Sequence, residues 1–259
     1  MAPHPHSPPL LPTFIIGGAA RSGTTLLATL LDGHPHIAMA KPLIPEPKVF
    51  TLPASGGDAY LARYGAYFTP ADAGKARGEK STLYFESERA CALIAQHLPE
   101  VRLIFLLRDP AARAYSNWLW STKNGLETLG FEEAISFKGE RASPLPPEKS
   151  YARPYDYIAR GEYDRFAARY IAALGRERVA FFLYEALTDP GNDTLAECQD
   201  FIGVPRVLSA GRELPLINSA RETGPAIRAE TAERLRDRFR PSVERFSALT
   251  GIDCSRWGY

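Results

Sequence analysis

Short runs of consecutive apolar residues recur along the chain, each separated from the next by a polar segment with apolar residues at helical spacing. The runs lie at 14–16, 103–107 and 179–184. Runs of this length predict strands that are covered on both faces, as in a parallel sheet. Segments 37–40 and 77–82 predict two further short strands. The alternation of strand and helix predicts an α/β fold in three layers, a central parallel sheet with helices on both faces.

Helices are predicted where capping residues precede an amphipathic pattern. These helices span about 87–97, the residues after Asp109-Pro110, 155–174 with an interruption near Gly161, 192–202, and a last stretch from 229 that is bent or broken at Pro241. Aromatic residues at near-helical intervals in 51–76 predict a short helix that packs into the core.

The clearest functional pattern joins the first strand to the first helix. Gly18 and Gly23 are separated by four residues, the spacing of a phosphate loop whose backbone N–H groups hold an anion, which makes this a P-loop-like strand-loop-helix. A nucleoside triphosphatase has a lysine directly after the second glycine, but this chain has Thr24, and the cation Arg21 lies inside the loop. The pattern predicts a phosphate site other than that of an ATP split at its γ-phosphate.

A second anion site is predicted after the strand at 103–107. Arg108 follows the strand at its carboxyl end, where open α/β sheets bind ligands. Asp109 and Pro110 are suited to begin a helix that carries Ser116. Arg108 and Ser116 therefore form a candidate clamp, although an arginine here is equally compatible with a salt bridge to a neighbouring helix.

Further charged residues follow the other strands. Glu46 and Lys48 lie in a proline-rich segment after the second strand, and Lys80 ends the third. Each is a candidate ligand or catalytic group, and each is also compatible with a solvated surface charge. His34 and His36 are rival bases, for which their turn position favours a structural role.

Composition limits the partners. The formal net charge of +1 predicts no non-specific attraction to nucleic acid, and no apolar run is long enough to span a membrane. Three widely spaced cysteines and no secretory pattern predict a cytoplasmic protein without a metal site. Residues 1–12 predict a disordered, proline-rich leader, and 13–259 a single domain.

Taken together, the two anion motifs resemble those of sulfotransferases that use 3′-phosphoadenosine 5′-phosphosulfate (PAPS), most of all bacterial and heparan-sulfate-type members. Residues 20–25 are similar to the family's 5′-phosphosulfate loop, and 107–110 with Ser116 are similar to its 3′-phosphate motif. The family often has lysine at the place of Arg21, and a proline common in the segment 79–82 is absent here.

The resemblance implies a role for each candidate residue, with adenosine 3′,5′-bisphosphate (PAP) as the product. Glu46 would be the general base, helped by Lys48, Lys80 and Arg21 at the transferring sulfuryl group. The residues implied to bind the cofactor are Arg21, Ser22, Gly23, Thr24, Thr25, Leu26, Arg108, Ser116, Asn218 and Arg221. Arg160 and its neighbours are implied to lie near the cofactor or acceptor.

The expected activity is sulfuryl transfer to a hydroxyl, or less readily an amine, of a carbohydrate or small-molecule acceptor. A magnesium-dependent phosphate-loop kinase and a non-catalytic nucleotide-binding module remain alternatives. The sequence leaves open the acceptor and the oligomeric state. Aromatic residues that either line an acceptor pocket or pack in the core are Tyr60, Tyr64, Trp118, Trp120, Tyr151 and Tyr155.

Overall fold

Parallel strands form the centre of the fold in a computed structural model that describes residues 8–53, 56–137, 145, 155–207 and 226–259. Within these residues the strands are β1 (Phe14–Gly18), β2 (Ile37–Met39), β3 (Ala76–Lys80), β4 (Arg102–Leu107) and β5 (Val179–Leu183). Their order in the sheet is β2-β3-β1-β4-β5, and every neighbouring pair is parallel. The predicted parallel α/β sheet is confirmed.

Helices connect the strands and cover both faces of the sheet. They are α1 (Thr24–Asp32), α2 (Gly57–Ala62), α3 (Glu88–His97), α4 (Pro110–Lys123), α5 (Phe131–Ser136), α6 (Tyr163–Leu174), α7 (Tyr184–Leu187), α8 (Thr194–Ile202) and α9 (Ala229–Thr250). Single 3₁₀ turns occur at Arg63–Ala66, Pro70–Asp72, Ala159–Gly161, Arg176–Arg178 and Ser255–Trp257. Of the two alternatives at Pro241, a bend or a break, the break is wrong, since α9 continues through this residue.

Alternating strand residues face opposite halves of the core, as the two-residue period of a strand requires. Ile15 and Phe105 belong to the cluster formed with α3, α6 and α9, whereas Ile16 and Ile104 pack against α1 and α8. All four side chains are fully buried. Burial of each contributes roughly 1.5–3 kcal/mol, so the sheet holds the carboxyl ends of its strands in fixed positions.

The helices α1 and α4 both begin near these carboxyl ends, and different local features allow each helix to start there. Gly23 precedes α1 with φ of 81°, and a Cβ there would lie 2.4 Å from the Tyr184 ring. Glycine therefore fits the turn both by conformation and by size. At α4, the side chain of Asp109 accepts hydrogen bonds from the N–H groups of Ala111 and Ala112, as its predicted capping position requires.

The predicted leader is described from Pro8 onward. Leu10 and Leu11 pack against the core, and Arg77 Nε donates a 2.7 Å hydrogen bond to the Leu11 carbonyl. The leader and the single domain at 13–259 stay predictions. None of the helices in the described ranges combines the length and the apolar character needed to cross a membrane.

Candidate active site

A cleft of about 390 Å³ lies at the carboxyl edge of the sheet. Segments that follow β1, β2, β3 and β4 converge on it, as expected where the chain crosses from one side of an open parallel sheet to the other. Its lining residues are Ala20, Arg21, Thr24, Thr25, Ile44, Pro45, Glu46, Lys48, Lys80, Thr82, Leu83, Asn117, Trp120 and Arg160. The cleft thus brings together the predicted catalytic residues Arg21, Glu46, Lys48 and Lys80.

Glu46 is held by two residues at the end of β3. Lys80 Nζ lies 2.9 Å from Glu46 Oε1, and the Thr82 N–H donates to Oε2 at 3.1 Å. The Thr82 hydroxyl lies 3.1 Å from both carboxylate oxygens. Lys80 Nζ also donates to Thr25 Oγ1 at 3.2 Å. A single ammonium group therefore connects the carboxylate to the phosphate loop.

The ion pair between Lys80 and Glu46 is largely buried. The Lys80 side chain is 3% exposed and that of Glu46 is 14% exposed. Removal of two charges from water is costly, and hydrogen bonds to both groups offset part of that cost. Because a carboxylate accepts about four hydrogen bonds, Glu46 can still accept one from a group in the cleft.

The start of α1 provides donors for an anion. No side chain caps the helix N-terminus, and the first-turn N–H groups of a helix have no partner within the helix. The helix dipole and these N–H groups favour a phosphate at this position. Arg21, in the loop before α1, donates from Nε to Ser116 Oγ at 3.1 Å. The side chain of Arg21 thus links the phosphate loop to α4.

Arg21 and Lys48 have an uncommon backbone conformation. Their φ angles are 69° and 52°, the left-handed region that favours glycine. Within the described ranges they are the non-glycine residues with positive φ, and both line the cleft. Strained residues of this kind concentrate at functional sites because surrounding contacts hold them there.

The second predicted clamp is only partly assembled around the cleft. Ser116 is buried beside Arg21. Arg108 is not among the lining residues, and its guanidinium carbon lies 5.4 Å from the centre of the Tyr184 ring. Asn218 and Arg221, also predicted to bind the cofactor, lie outside the described residues.

His34 and His36, the rival candidates for the base, lie outside the lining of the cleft. His34 is buried, its Nε2 lies 2.8 Å from the Pro205 carbonyl, and its Nδ1 accepts from the His36 N–H. The carbonyl requires the proton to be on Nε2, which uses both ring nitrogens of a neutral His34. Neither histidine lines the cleft. This arrangement supports the structural alternative for His34.

Aromatic residues divide between core and cleft. Tyr60 and Tyr64 are buried in the core, and Trp118 packs 5.6 Å from Phe131. Trp120, at 37% exposure, lines the cleft, and Tyr151 lies outside the described residues.

Thr82, Asn117 and Trp120 received no individual role from sequence reasoning. Thr82 lies in the segment 79–82 that resembles the family, but its bonds to Glu46 join residues 36 positions apart. Helical spacing places Asn117 and Trp120 on α4 without showing which face meets the cleft. Arg160 also lines the cleft, where it donates to Glu86 Oε1 at 2.7 Å and to Asn117 Oδ1 at 3.0 Å.

Comparison with models of known protein families assigns the chain to a family. A model of the sulfotransferase domain matches residues 11–218, most of the chain. The chain belongs to the sulfotransferase family. Such a family consists of transferase enzymes, so neither the kinase nor the non-catalytic module is supported. The residues matched include both anion motifs and the segment that carries Glu46.

Individual relatives are distant. The sulfotransferase is 25% identical to mouse heparan sulfate glucosamine 3-O-sulfotransferase 3B1 over 263 residues, which covers 94% of this chain and 64% of the relative. It is 29% identical to human bifunctional heparan sulfate N-deacetylase/N-sulfotransferase 3, covering 75% of this chain and 22% of the relative. The chain thus spans less than two thirds of the length of these relatives.

Solved structures share the fold. A sulfotransferase from Alicyclobacillus acidocaldarius matches with a TM-score of 0.73 and 25% identity, covering 96% of this chain and all of that one. A sulfotransferase domain from the Synechococcus PCC 7002 olefin synthase matches with a TM-score of 0.51 and 17% identity, covering 98% of this chain and 99% of that one. The second match supports the fold alone.

Proposed function

We propose that this sulfotransferase transfers the sulfuryl group of PAPS to a hydroxyl of a carbohydrate or small-molecule acceptor, with Glu46 as the general base. The observation that carries the proposal is the position of Lys80, which contacts both Glu46 and Thr25. A base for the acceptor and a binding loop for the donor are thereby held on either side of one cation, as in-line transfer requires.

The donor would be held at two places. The uncapped N–H groups of Gly23, Thr24, Thr25 and Leu26 would bind the 5′-phosphate, and Ser22 and the two threonine hydroxyls border the same loop. Arg108 and Ser116 would bind the 3′-phosphate, because a planar guanidinium and a hydroxyl suit phosphate oxygens. We further propose that Asn218 and Arg221 contribute to this second site.

Bound PAPS would supply an activated sulfuryl group on a phosphate leaving group. Arg21, Lys48 and Lys80 would stabilise the negative charge that develops there, an effect strongest in a cleft that excludes water. Glu46 would accept the proton of the acceptor hydroxyl, a contribution of roughly a hundred- to ten-thousand-fold in rate. Lys80 and Thr82 orient the carboxylate for that transfer.

The acceptor side of the cleft combines charge with apolar surface. Ile44 is 62% exposed and Trp120 is 37% exposed, and both line the cleft. An exposed indole offers a flat face to a sugar ring or an aromatic ring. The named relatives act on heparan sulfate, which supports the carbohydrate class without defining the sugar.

We propose a reducing compartment, such as the cytoplasm, as the place of action. Cys91, Cys198 and Cys254 are all free and buried, and no disulfide joins them. Thiols persist in this form where glutathione keeps them reduced.

The decisive experiment compares wild type with Glu46→Gln. The protein is incubated with labelled PAPS and two acceptor probes, 4-nitrophenol and a desulfated heparan oligosaccharide, and PAP formation is followed. Glu46→Gln should lower kcat by roughly a hundred- to ten-thousand-fold while PAP affinity, measured by calorimetry, stays close to wild type.

The control is Glu100→Gln, which alters a carboxylate with an 84% exposed side chain and should change neither quantity. Wild-type turnover in Glu46→Gln would exclude Glu46 as the base. Absence of PAP binding by the wild-type protein would exclude PAPS as the donor.

A further inference from the structure

Glu79, next to Lys80 in β3, is a fully buried carboxyl group outside the proposed mechanism. Neither of its carboxyl oxygens has a hydrogen-bond partner of ordinary geometry among the described residues. An ionised carboxylate in such a place is costly, since no donor replaces the water that it loses. A buried group of this kind therefore favours its neutral form.

The titratable groups around Glu79 reinforce this preference. The Tyr84 and Tyr64 hydroxyls are close enough to interact with the carboxyl, although neither makes a hydrogen bond of ordinary geometry, and Tyr67 and Glu46 act on it electrostatically. Burial raises the pKa of Glu79 to about 8, the two hydroxyls oppose the rise, and the charge of Glu46 adds to it. With this pKa, Glu79 is neutral near pH 7.

The same tyrosines hold the segment that carries Glu46, residues 46–52, which we name the base segment. The Phe50 N–H donates to the Tyr84 hydroxyl at 3.2 Å. The Phe50 ring lies 5.9 Å from the Tyr84 ring and 6.2 Å from the Tyr64 ring, between centroids. Within the same segment, the Lys48 N–H donates to Ser81 Oγ at 2.9 Å. Glu79 thus lies close to the two tyrosine hydroxyls, and the Tyr84 hydroxyl accepts the bond that holds Phe50 in the base segment.

We propose that Glu79 is a positioning residue, whose neutral carboxyl lets the base segment pack against β3 and whose ionisation loosens that segment and withdraws Glu46 from Lys80. The role as a support of the base segment does not depend on the proposed function. Its effect on turnover rests on the proposed function, in which Glu46 is the base.

The physical sequence starts with loss of the Glu79 proton to solvent. Among the described residues the Tyr64 and Tyr84 hydroxyls approach the resulting charge, but neither makes a hydrogen bond of ordinary geometry to it, and the charge of Glu46 repels it. Entry of water is the available compensation, and we expect it to separate the Phe50, Tyr64 and Tyr84 rings. Separation of these rings breaks the bond from the Phe50 N–H and frees the base segment.

Hydrogen exchange tests the proposal without any ligand. Exchange in peptides covering the base segment is measured by mass spectrometry from pH 6 to pH 9 and divided by the rate of an unstructured peptide of the same sequence. In wild type, protection should decrease by up to about tenfold per pH unit from pH 6 up to the pKa of Glu79, about 8, and level off above it, because only the closed segment keeps the Glu79 proton in this range. In Glu79→Gln, which stays neutral, protection should not change with pH.

Glu127→Gln is the matched control. Glu127 is also a buried carboxyl, but it accepts hydrogen bonds from the N–H groups of Thr128 and Leu129 and does not line the cleft. This variant should keep the wild-type pH dependence in the base segment. The inference is overturned if Glu79→Gln and wild type show the same pH dependence.

Turnover adds a second measurement. The kcat of wild type with PAPS and the better of the two acceptor probes should fall on the alkaline side, and this fall should be absent or shifted to higher pH in Glu79→Gln. Identical profiles would overturn the link between Glu79 and turnover. Lack of turnover in every variant, with the exchange difference intact, would contradict the proposed function and leave the support role standing.

A wild-type measurement covers the case in which Glu79→Gln does not fold. Infrared spectroscopy should show the carbonyl stretch of a protonated carboxylic acid at pH 7, which disappears by pH 9 together with the protection of the base segment. Lack of this band at pH 7, or its persistence at pH 9, would overturn the proposal.

Discussion

At the scale of single residues, the cleft and its surroundings contain residues held in unfavourable states, either a left-handed backbone or a buried carboxyl without a hydrogen bond. The backbone of Arg21 and of Lys48 is in the left-handed region, and the Glu79 carboxyl is buried without a hydrogen bond of ordinary geometry in the described structure. Each such state costs free energy that the surrounding fold must supply. Substitutions at these residues should therefore separate stability from activity.

Replacement of Lys48 tests the backbone strain. Lys48→Ala and Lys48→Gly both remove the ammonium group, but only glycine adopts φ near 52° without strain. We expect Lys48→Gly to be more stable than Lys48→Ala by about 1 kcal/mol, because the relief of strain exceeds the added chain entropy. Urea unfolding measures the difference, and both variants should lose a similar fraction of kcat. Equal stability would show that Lys48 is unstrained.

Replacement of Glu79 tests, through the pH dependence of stability, whether its buried carboxyl is neutral. The native pKa of about 8 lies above the ordinary value of 4.5, so the folded protein keeps a proton that the unfolded chain releases between these values. The contribution of Glu79 to stability is therefore complete below about pH 4.5 and is lost progressively as the pH rises to about 8.

Urea unfolding at pH 5.5 and pH 8.5 should show this loss in wild type, on the order of 3 kcal/mol, in comparison with Glu79→Gln at the same pH values. The comparison cancels the effects of other titrating groups. A constant difference between the two proteins would mean that Glu79 titrates normally.

Sequence and family resemblance together predicted Arg21, Glu46, Lys48 and Lys80, which the cleft brings together. These residues could be predicted because they follow strand ends or lie in a motif. The bonds of Thr82 to Glu46 and the tyrosines around Glu79 could not, because they depend on contacts between segments far apart in the chain.

At the scale of elements, α4 contributes several residues to the proposed site. It begins at the end of β4, carries Ser116 beside Arg21, and presents Asn117 and Trp120 to the cleft. Its first turn depends on Asp109, which also accepts a hydrogen bond from the Tyr259 hydroxyl at 3.1 Å. The position of these cleft residues therefore depends on the start of one helix.

Asp109→Ala should destabilise the protein by about 1–2 kcal/mol and weaken PAP binding, since both the cap and the orientation of α4 are affected. Ser87→Ala is the comparison, because Ser87 caps α3 by accepting from the Ala90 N–H and does not line the cleft. It should cost similar stability and leave the calorimetric affinity for PAP unchanged. Equal affinities in both variants would contradict a role of α4 in binding.

Elements with a strong apolar pattern could be predicted, and those shaped by packing could not. The strands β1, β4 and β5 occur where their apolar runs lie. The interruption near Gly161 could be predicted, but the start of α6 at Tyr163 after a 3₁₀ turn could not, because it depends on close packing: a Cβ at Gly161 would lie 2.6 Å from the Phe239 ring of α9. Such close approach between helices leaves no local pattern beyond the glycine itself.

At the scale of the whole molecule, the cleft exists only in the folded chain. Its residues extend from Ala20 to Arg160 in sequence, and they meet because the sheet order places β1 between β3 and β4. A ligand that binds here must therefore stabilise the complete fold over the unfolded chain.

PAP at one hundred times its dissociation constant should raise the free energy of unfolding by about 2.7 kcal/mol. The shift is measured by urea unfolding with and without PAP. ATP with magnesium, at the same concentration, should produce a smaller shift because it lacks a 3′-phosphate for Arg108 and Ser116. A larger shift with ATP would contradict the assignment of the second clamp.

The exposed indole of Trp120 also gives the cleft an intrinsic fluorescent reporter. The chain has three tryptophans, and the indole N–H groups of Trp118 and Trp257 donate to Leu129 O and Glu185 Oε2 within the fold. Trp120 lines the cleft and is 37% exposed, so a molecule entering beside it should change the intrinsic fluorescence of the protein. Candidate acceptors can thus be screened by emission alone, without a label and before any of them is shown to react.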